Sequence, residues 1–428
     1  MKRSVSSLVL LVLMWINGNA AELTIDECVR LARENYPAVA QYGLLEKVKH
    51  LNLSNVAKAW LPQGSVSAQA TWQNDVAALP DALTNILSQQ GVSYPGLDKT
   101  QYRVGVDISQ QIWDGGKTQA NREVIETGNV IERTSVDTQL YDVEGRVEEI
   151  YFSILLLNER ISQCDKTMTL VESTLNQIRS MYTNGVAMKS DCDQIEAKYL
   201  TLQQQKSRLT ATLGSIRRVM EIFIGESIGG RTLILPSEDL EEKGDGLHPQ
   251  LRLFDARIAN LTAQESGIKA SVRPTISAFA SGYYGYPGYN MFKNMQSREL
   301  SFNFMVGVKV AWNFGSLYTR SNSLNKLQVQ RTQIESDRAT FNFNNDIAMA
   351  ESLGLIESLR DVMRNDRRIV ELRNSVITAA QSQLNNGIID ATSLLSKITD
   401  SELAQNDMAQ HHIELVKAIY NLNHLKNK

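Results

Sequence analysis

Only eight prolines occur in 428 residues, and none lies between Pro95 and Pro236. A gap of that length lacks the residue that most effectively breaks helices, so very long helices are allowed. Cysteine is equally scarce. Cys28, Cys164 and Cys192 are too few and too scattered for a disulfide framework. Charge of one sign is missing too: 44 Lys and Arg stand against 47 Asp and Glu, which gives no hint of nucleic-acid binding. The five histidines (His50, His248, His411, His412 and His424) show no metal-ligand spacing such as HExxH. Beyond the N-terminus no run of about 18 apolar residues occurs, so no transmembrane helix is expected. Gly116-Lys117-Thr118 suits the tail of a phosphate-binding GxxxxGK[ST] loop, but Gln111 stands where that loop needs its first glycine. No enzyme, cofactor or metal site emerges.

The chain opens MKRSVSSLVLLVLMWINGNAAE. Lys2 and Arg3 precede an apolar run from Leu8 to Trp15, with small residues at Gly18 and Ala20. This reads as a secretory signal peptide over residues 1–20, too short to span a bilayer stably. No Cys sits at the cleavage point, so export without N-terminal lipidation is expected.

What is present is written twice. Pro37 and Pro249 lie 212 residues apart, and so do Pro62 and Pro274, in matching settings. "IWDGG" at 112–116 pairs with "AWNFG" at 311–315, and "YTNGVAMKSD" at 182–191 with "LNNGIIDATS" at 384–393. Four landmarks in the same order indicate an internal duplication: a first repeat over 21–228, a linker over 229–247 and a second repeat over 248–428. Repeats of about 200 residues are too long for a solenoid and imply two similar halves.

Each half runs helix, strand pair, long helix, return helix. Residues 38–59 and 250–271 read as the first helices. In the strand pair at 63–113, Val66, Ala68, Ala70 and Trp72 alternate with Ser67, Gln69, Thr71 and Gln73. After a loop rich in turn residues at 75–100, Tyr102, Val104, Val106 and Ile108 continue the period of two. The pair at 274–313 repeats it, with Phe302, Phe304, Val306, Val308, Val310 and Trp312 on one face. About ten residues per strand matches a tilted bilayer crossing, although a soluble sandwich alternates equally well. Two features favour the membrane. The opposite faces are rich in Ser, Gln and Asn, and aromatics gather near strand ends at Trp113, Trp312, Tyr283, Tyr284, Tyr286 and Tyr289.

From Leu140 the period changes. The row Leu140, Val143, Val147, Ile150, Ile154, Leu157, Ile161, Cys164, Met168, Val171, Leu175, Ile178, Tyr182 is spaced alternately by three and four. A sustained 3.5-residue repeat predicts a left-handed coiled-coil seam. The long helix at 116–182 turns at Gly185 and returns over 187–224, where Lys206 interrupts the seam. The second half offers 315–384 and 389–425.

These duplicated landmarks resemble the TolC-like outer-membrane efflux family over nearly the whole mature chain, from "LTIDECVRLARENYPAV" to "NLNHL". The resemblance implies a mixed, mainly α fold. Long coiled-coil helices form an α-barrel, and four strands per protomer share a 12-stranded barrel, three chains times four strands, in a homotrimer. It implies an exit duct in the outer membrane of a Gram-negative bacterium, with helices extending into the periplasm. Its partners are a periplasmic adaptor and an inner-membrane transporter of the resistance-nodulation-division, ABC or major-facilitator type, serving tripartite efflux or type I secretion. The strands alone agree: four cannot hide their edges in lipid, so several chains must share a barrel.

The resemblance also places an adaptor-docking tip at Asn184, Gly185, Asn386 and Gly387. Gate candidates follow by position. Ser190 and Asp191 keep the family's hydroxyl and carboxylate. The second turn departs: Leu384 stands for a family Tyr, Ile389 for a basic residue, and Ser393 and Ser396 for acidic ones. Two other readings stay open, a periplasmic adaptor and a structural coiled-coil rod. Neither accounts for two tandem strand-plus-rod units, and neither should conduct ions.

Overall fold

The structure, a computed structural model, describes residues 22–238 and 247–426. The expected signal peptide at 1–20 and positions 239–246 of the linker lie outside the described residues. Chain order begins β1 (Glu22–Leu23), α1 (Ile25–Asn35), α2 (Val39–Ala57), β2 (Gln63–Trp72), α3 (Asp81–Gln89) and β3 (Thr100–Trp113). Next come α4 (Lys117–Thr183), α5 (Lys189–Ile224), β4 (Thr232–Leu233) and α6 (Pro249–Ser271). The chain ends with β5 (Thr275–Tyr286), α7 (Met291–Gln296), β6 (Ser301–Ala311), α8 (Gly315–Asn385) and α9 (Ala391–Leu425). The fold is mainly helical, with 67 residues in α4 and 71 in α8. It divides into two compact units, and each draws on both halves of the sequence.

One unit comprises residues 43–133 and 254–336 and holds an antiparallel sheet in the order β2-β3-β5-β6. Its register aligns Ala68, Val104, Tyr284 and Phe302 in one cross-strand row and Ser67, Gly105, Tyr283 and Asn303 in the next. Helices follow the same order. The Asn129 amide reaches the Leu45 carbonyl, joining α2 to α4. Asn260 reaches the Val124 carbonyl and Thr127 hydroxyl, joining α6 to α4, and Arg331 reaches Thr262, joining α8 to α6. The stretch 75–100, read as a loop, contains α3. Asp81 in its first turn and Gly91 at φ +81° just beyond its end are ordinary helix start and stop signals.

The "IWDGG" corner joins β3 to α4. The buried Asp114 carboxylate accepts the N–H groups of Gly116 (2.9 Å) and Thr118 (2.6 Å), satisfying donors that the first helical turn leaves free. Burial pushes its pKa up, but the bonds from Thr118 and Gly116 outweigh that and hold the carboxyl below its ordinary value. Gly115 and Gly116 adopt φ +73° and +92°, and a Cβ on Gly115 would lie 2.8 Å from that of Arg273. In "AWNFG" the same position is Asn313, whose side chain accepts one N–H, from Gly315. The corner is a structural turn, with Lys117 simply the first residue of its helix.

The other unit comprises residues 22–42, 134–253 and 337–426. β1 and β4 pair in parallel, and the Tyr151 hydroxyl lies 2.8 Å from the Leu23 carbonyl and accepts the Ile234 N–H at 3.0 Å. Around them Cys28, Val147, Ile150, Phe152, Ile154, Met220 and Val416 form a core cluster. The expected seam on α4 is buried or half-buried as far as Ile178, and only Tyr182 emerges. Burial extends well past one stripe, to Tyr141, Tyr151, Phe152, Leu155 and Gln163, because α4 has neighbours on more than one side. Lys206, the break in the α5 row, is accommodated by an ion pair to Asp165 at 2.6 Å. All three thiols are buried; desolvation pushes Cys28 up to about 12 and raises Cys164, which suits packing rather than reactivity.

Candidate functional site

Alternation puts most of the large apolar strand residues on one side of the sheet, Phe279 and Met305 being exceptions, and that side is uncovered. Val66 is 77% exposed, Phe302 71% and Val308 66%, with Val104, Val106, Ile108, Tyr284, Phe304, Val306 and Val310 in the same condition. A soluble sandwich would bury this face. The opposite side carries Ser65, Ser67, Gln69 and Thr71 from β2, Arg103, Asp107 and Ser109 from β3, and Asn303 and Lys309 from β6. Of the aromatics expected as an interfacial girdle, Trp113, Trp312 and Tyr284 lie exposed on the apolar side. Tyr283 and Tyr289 turn to the polar side, and Tyr286 is buried among Leu97, Met295, Val76, Leu79 and Tyr94.

Both edges of this sheet are unpaired strands: β2 on one side and β6 on the other. The helices attached to the edge strands are correspondingly bare. Leu44, Val48 and Leu51 on α2 and Val329 on α8 are more than half exposed, whereas Phe254, Leu261 and Ala263 on α6 and Ala120 on α4 are buried.

The second locus is the pair of helical turns. Gly185 and Gly387 take φ +76° and +70°, and each closes the preceding helix through its N–H, to Tyr182 O at 2.9 Å and Leu384 O at 3.0 Å. Asn184 and Asn386 are exposed beside them. Asp191 accepts the Met188 N–H at 2.9 Å, and Asp390 accepts the Ser393 N–H at 2.8 Å. The Ser393 bonds hold the Asp390 carboxyl below its ordinary pKa. Ser190, Ser393 and Ser396 are exposed, and Asp191 is half-exposed. Leu384 is buried and Ile389 half-buried in a cluster with Ile178, Ile195, Leu394 and Ile398, so these two gate candidates pack inside the hairpins. The hairpins are tied together by Thr392–Gln194 (2.5 Å) and by the half-buried Lys198–Glu402 ion pair (3.0 Å). Neither link was visible in the sequence, because its residues are about 200 positions apart.

The sequence profile described as outer membrane efflux protein matches residues 28–217. Over those residues the chain is similar to the outer membrane efflux protein family. Solved structures share its fold at low identity. The outer-membrane channel OprN aligns with TM-score 0.66 and 15% identity, covering 94% of this chain and 90% of that one. CusC, described as undergoing transmembrane channel formation, gives 0.69 and 12%, covering 96% and 95%. The outer membrane protein VceC from Vibrio cholerae gives 0.66 and 10%, covering 94% and 95%. No curated protein matches the sequence. That family is one of non-enzymatic, trimeric channels in the outer membrane of Gram-negative bacteria. No helix among the described residues is long and apolar enough to cross a membrane.

A histidine cluster escaped sequence reasoning. The His424 ring stacks on Tyr141 at 4.0 Å between centroids, and His248 meets the same Tyr141 edge-on at 4.6 Å. Burial, then the neighbouring His248, lowers the His424 pKa to about 4. These are packed neutral rings, brought together from positions 141, 248 and 424 by the helical unit.

Proposed function

We propose that this protein is a passive conduit formed by three copies, which works with a periplasmic adaptor and an energised inner-membrane transporter. One observation carries the reading: a sheet of even strand number, uncovered on its apolar face, with both edges open. β2 and β6 run in opposite directions, so β6 of one copy can pair antiparallel with β2 of the next and extend an up-and-down barrel. Closure removes the edges and puts the apolar face against lipid and the polar face around a wet lumen. The bare apolar residues of α2 and α8 lie on the edge helices, where a neighbouring copy would cover them.

The chain carries no complete GxxxxGK[ST] pattern, so the driving energy comes from the transporter. The turns around Gly185 and Gly387 are the exposed tips of the two helical hairpins. In this reading an adaptor docks there at Asn184, Gly185, Asn386 and Gly387, and opens a gate to which Ser190, Asp191, Ser393 and Ser396 contribute. Leu384 and Ile389 support that gate from within the hairpins.

Planar-bilayer recording of the purified mature chain tests the conduit, with single-channel steps expected. A soluble monomer without conductance would sink the reading. Gly185→Val and Gly387→Val test the docking site: each should abolish export while the protein still reaches the outer membrane. Normal export by both variants would remove the turns from the mechanism.

A further inference from the structure

We infer that the loop end of the sheet carries a binding site for small aromatic anions, built on Arg103, Tyr283 and Tyr289. The inference rests on the channel reading for its biological meaning, since it places the site on the lumen side of the sheet. The site is a polar recess of about 440 Å³ lined by residues that include Gln69, Thr71, Gln101, Arg103, Tyr283 and Tyr289. That volume falls at the small end of small-molecule pockets.

The cation is held in place and left unneutralised. Arg103 Nε and Nη2 donate to Gln69 Oε1 at 3.2 and 2.9 Å, which uses only part of the guanidinium's donor set. Its carbon lies 5.9 Å from the centre of the Tyr283 ring, a cation–π arrangement. Among the described residues no carboxylate pairs with Arg103. The nearest one along its strand face, Asp107, accepts the Ser281 hydroxyl instead at 2.6 Å. Along the polar strand faces, Arg103 and Lys309 stand against Asp107 alone, so this surface is net cationic.

The rings are fixed as firmly. Tyr289 meets Tyr283 edge-to-face at 5.3 Å between centroids. The Tyr289 N–H donates to Asn303 Oδ1 at 2.8 Å, and the Tyr283 hydroxyl donates to the Pro287 carbonyl at 3.1 Å. The loop that carries Tyr289 is pinned further through Tyr286, whose hydroxyl accepts the Asp98 N–H at 2.8 Å, and by the Arg298–Asp98 ion pair at 3.1 Å. Two perpendicular ring surfaces beside a planar cation suit a flat ligand with a negative group, and the surrounding amides and hydroxyls suit its hydration shell. A site ordered in advance loses little to rearrangement on binding. Solutes of this class would pause at the mouth and be passed in preference to cations.

Calorimetric titration of the full mature chain in detergent with 2-naphthalenesulfonate tests the site. One ligand per chain is expected. Arg103→Gln should weaken binding at least tenfold, and Arg103→Lys, which keeps the charge without the planar fork, should give an intermediate loss. Tyr289→Ala should weaken it severalfold, and Lys309→Gln, at the other end of the polar face, should leave it unchanged. No binding at millimolar ligand, equal binding by Arg103→Gln, or preference for a naphthyl trimethylammonium cation overturns the inference. Bilayer recording on the same preparation separates the two readings. Conductance without binding overturns the site and leaves the channel. Binding without conductance overturns the channel and leaves an aromatic-anion pocket.

Discussion

The two longest helices are copies of one element, yet α4 is an inner helix and α8 an edge helix. In the helical unit α4 buries Val147, Ile150, Ile154, Val171 and Ile178 almost completely. Over the corresponding stretch α8 leaves Phe343, Leu353, Leu355, Leu372 and Val376 at least two-fifths exposed. The same division separates buried α6 from bare α2 in the sheet unit. An apolar stripe is therefore not enough to say where a helix's partner lies. For α4 the partners belong to its own chain; α8 finds some there too, at Ile356, Leu359 and Leu384, and the proposed assembly would supply the rest.

The sharpest way to break this contrast is to put a charge at each kind of position. Ile154→Asp buries an unpaired carboxylate at a site with no exposure, and should cost more than about 4 kcal/mol and leave no folded protein. Phe343→Asp, at a position 66% exposed in the single chain, should leave a folded protomer that no longer assembles. Melting followed by circular dichroism, with light scattering of the detergent complex, reads both. A Phe343→Asp trimer as stable as the parent would end the edge-helix interpretation.

Truncation sharpens the same comparison more gently. Ile154→Ala should destabilise by about 2–5 kcal/mol, the usual range for emptying a packed site. Val329→Ala should fall within about 0.5 kcal/mol in a dissociated protomer and show itself only as weaker association.

The two corners differ by less. Asp114→Ala removes a buried acceptor of two N–H groups and should cost about 1–2 kcal/mol, whereas Asn313→Ala removes an exposed acceptor of one and should cost less. Because the Asp114 carboxyl titrates lower when folded, its contribution is complete above the unfolded value near pH 3.8 and is lost as pH falls through the folded one. Asn313 has no such dependence. Denaturation of the two variants at pH 7 and pH 3 should therefore converge for Asp114→Ala against parent, and stay parallel for Asn313→Ala.

The smallest effect at neutral pH belongs to His424. Its folded pKa of about 4 lies below the ordinary 6.5, so the unfolded chain takes up the proton first. Stability should be unaffected at pH 7 and decline as pH falls from about 6.5 towards 4. His424→Gln should flatten that slope in a pH series of melting temperatures; an unchanged slope would mean that other groups set it.

The long helices and alternating strands were legible because their periods are local: two residues for a strand, three and four for a seam. The turns at Gly185 and Gly387 were legible for the same reason, as a short glycine motif written twice. Helix α3 was missed because Pro80, Gly91 and Pro95 around it look like turn chemistry, and its apolar Leu83 and Ile86 are exposed, with no partner to imply. Tyr283 and Tyr289 looked like interfacial aromatics because composition near a strand end does not say which face a ring takes. Only the register with Gly105 and Asn303, and the loop folded back onto the polar side, settles that.

By itself the sequence determined which segments become helix or strand, and which face of each is apolar, since both depend on neighbours a few residues away. Tertiary structure alone decided which copy of each duplicated element lies inside and which at an edge. It also decided that His424, Tyr141 and His248 meet, and that Arg103 finds Gln69 and Tyr283. Two repeats with the same periodicity are locally indistinguishable; the order in which their strands pair breaks the tie, and it joins residues up to about 200 positions apart.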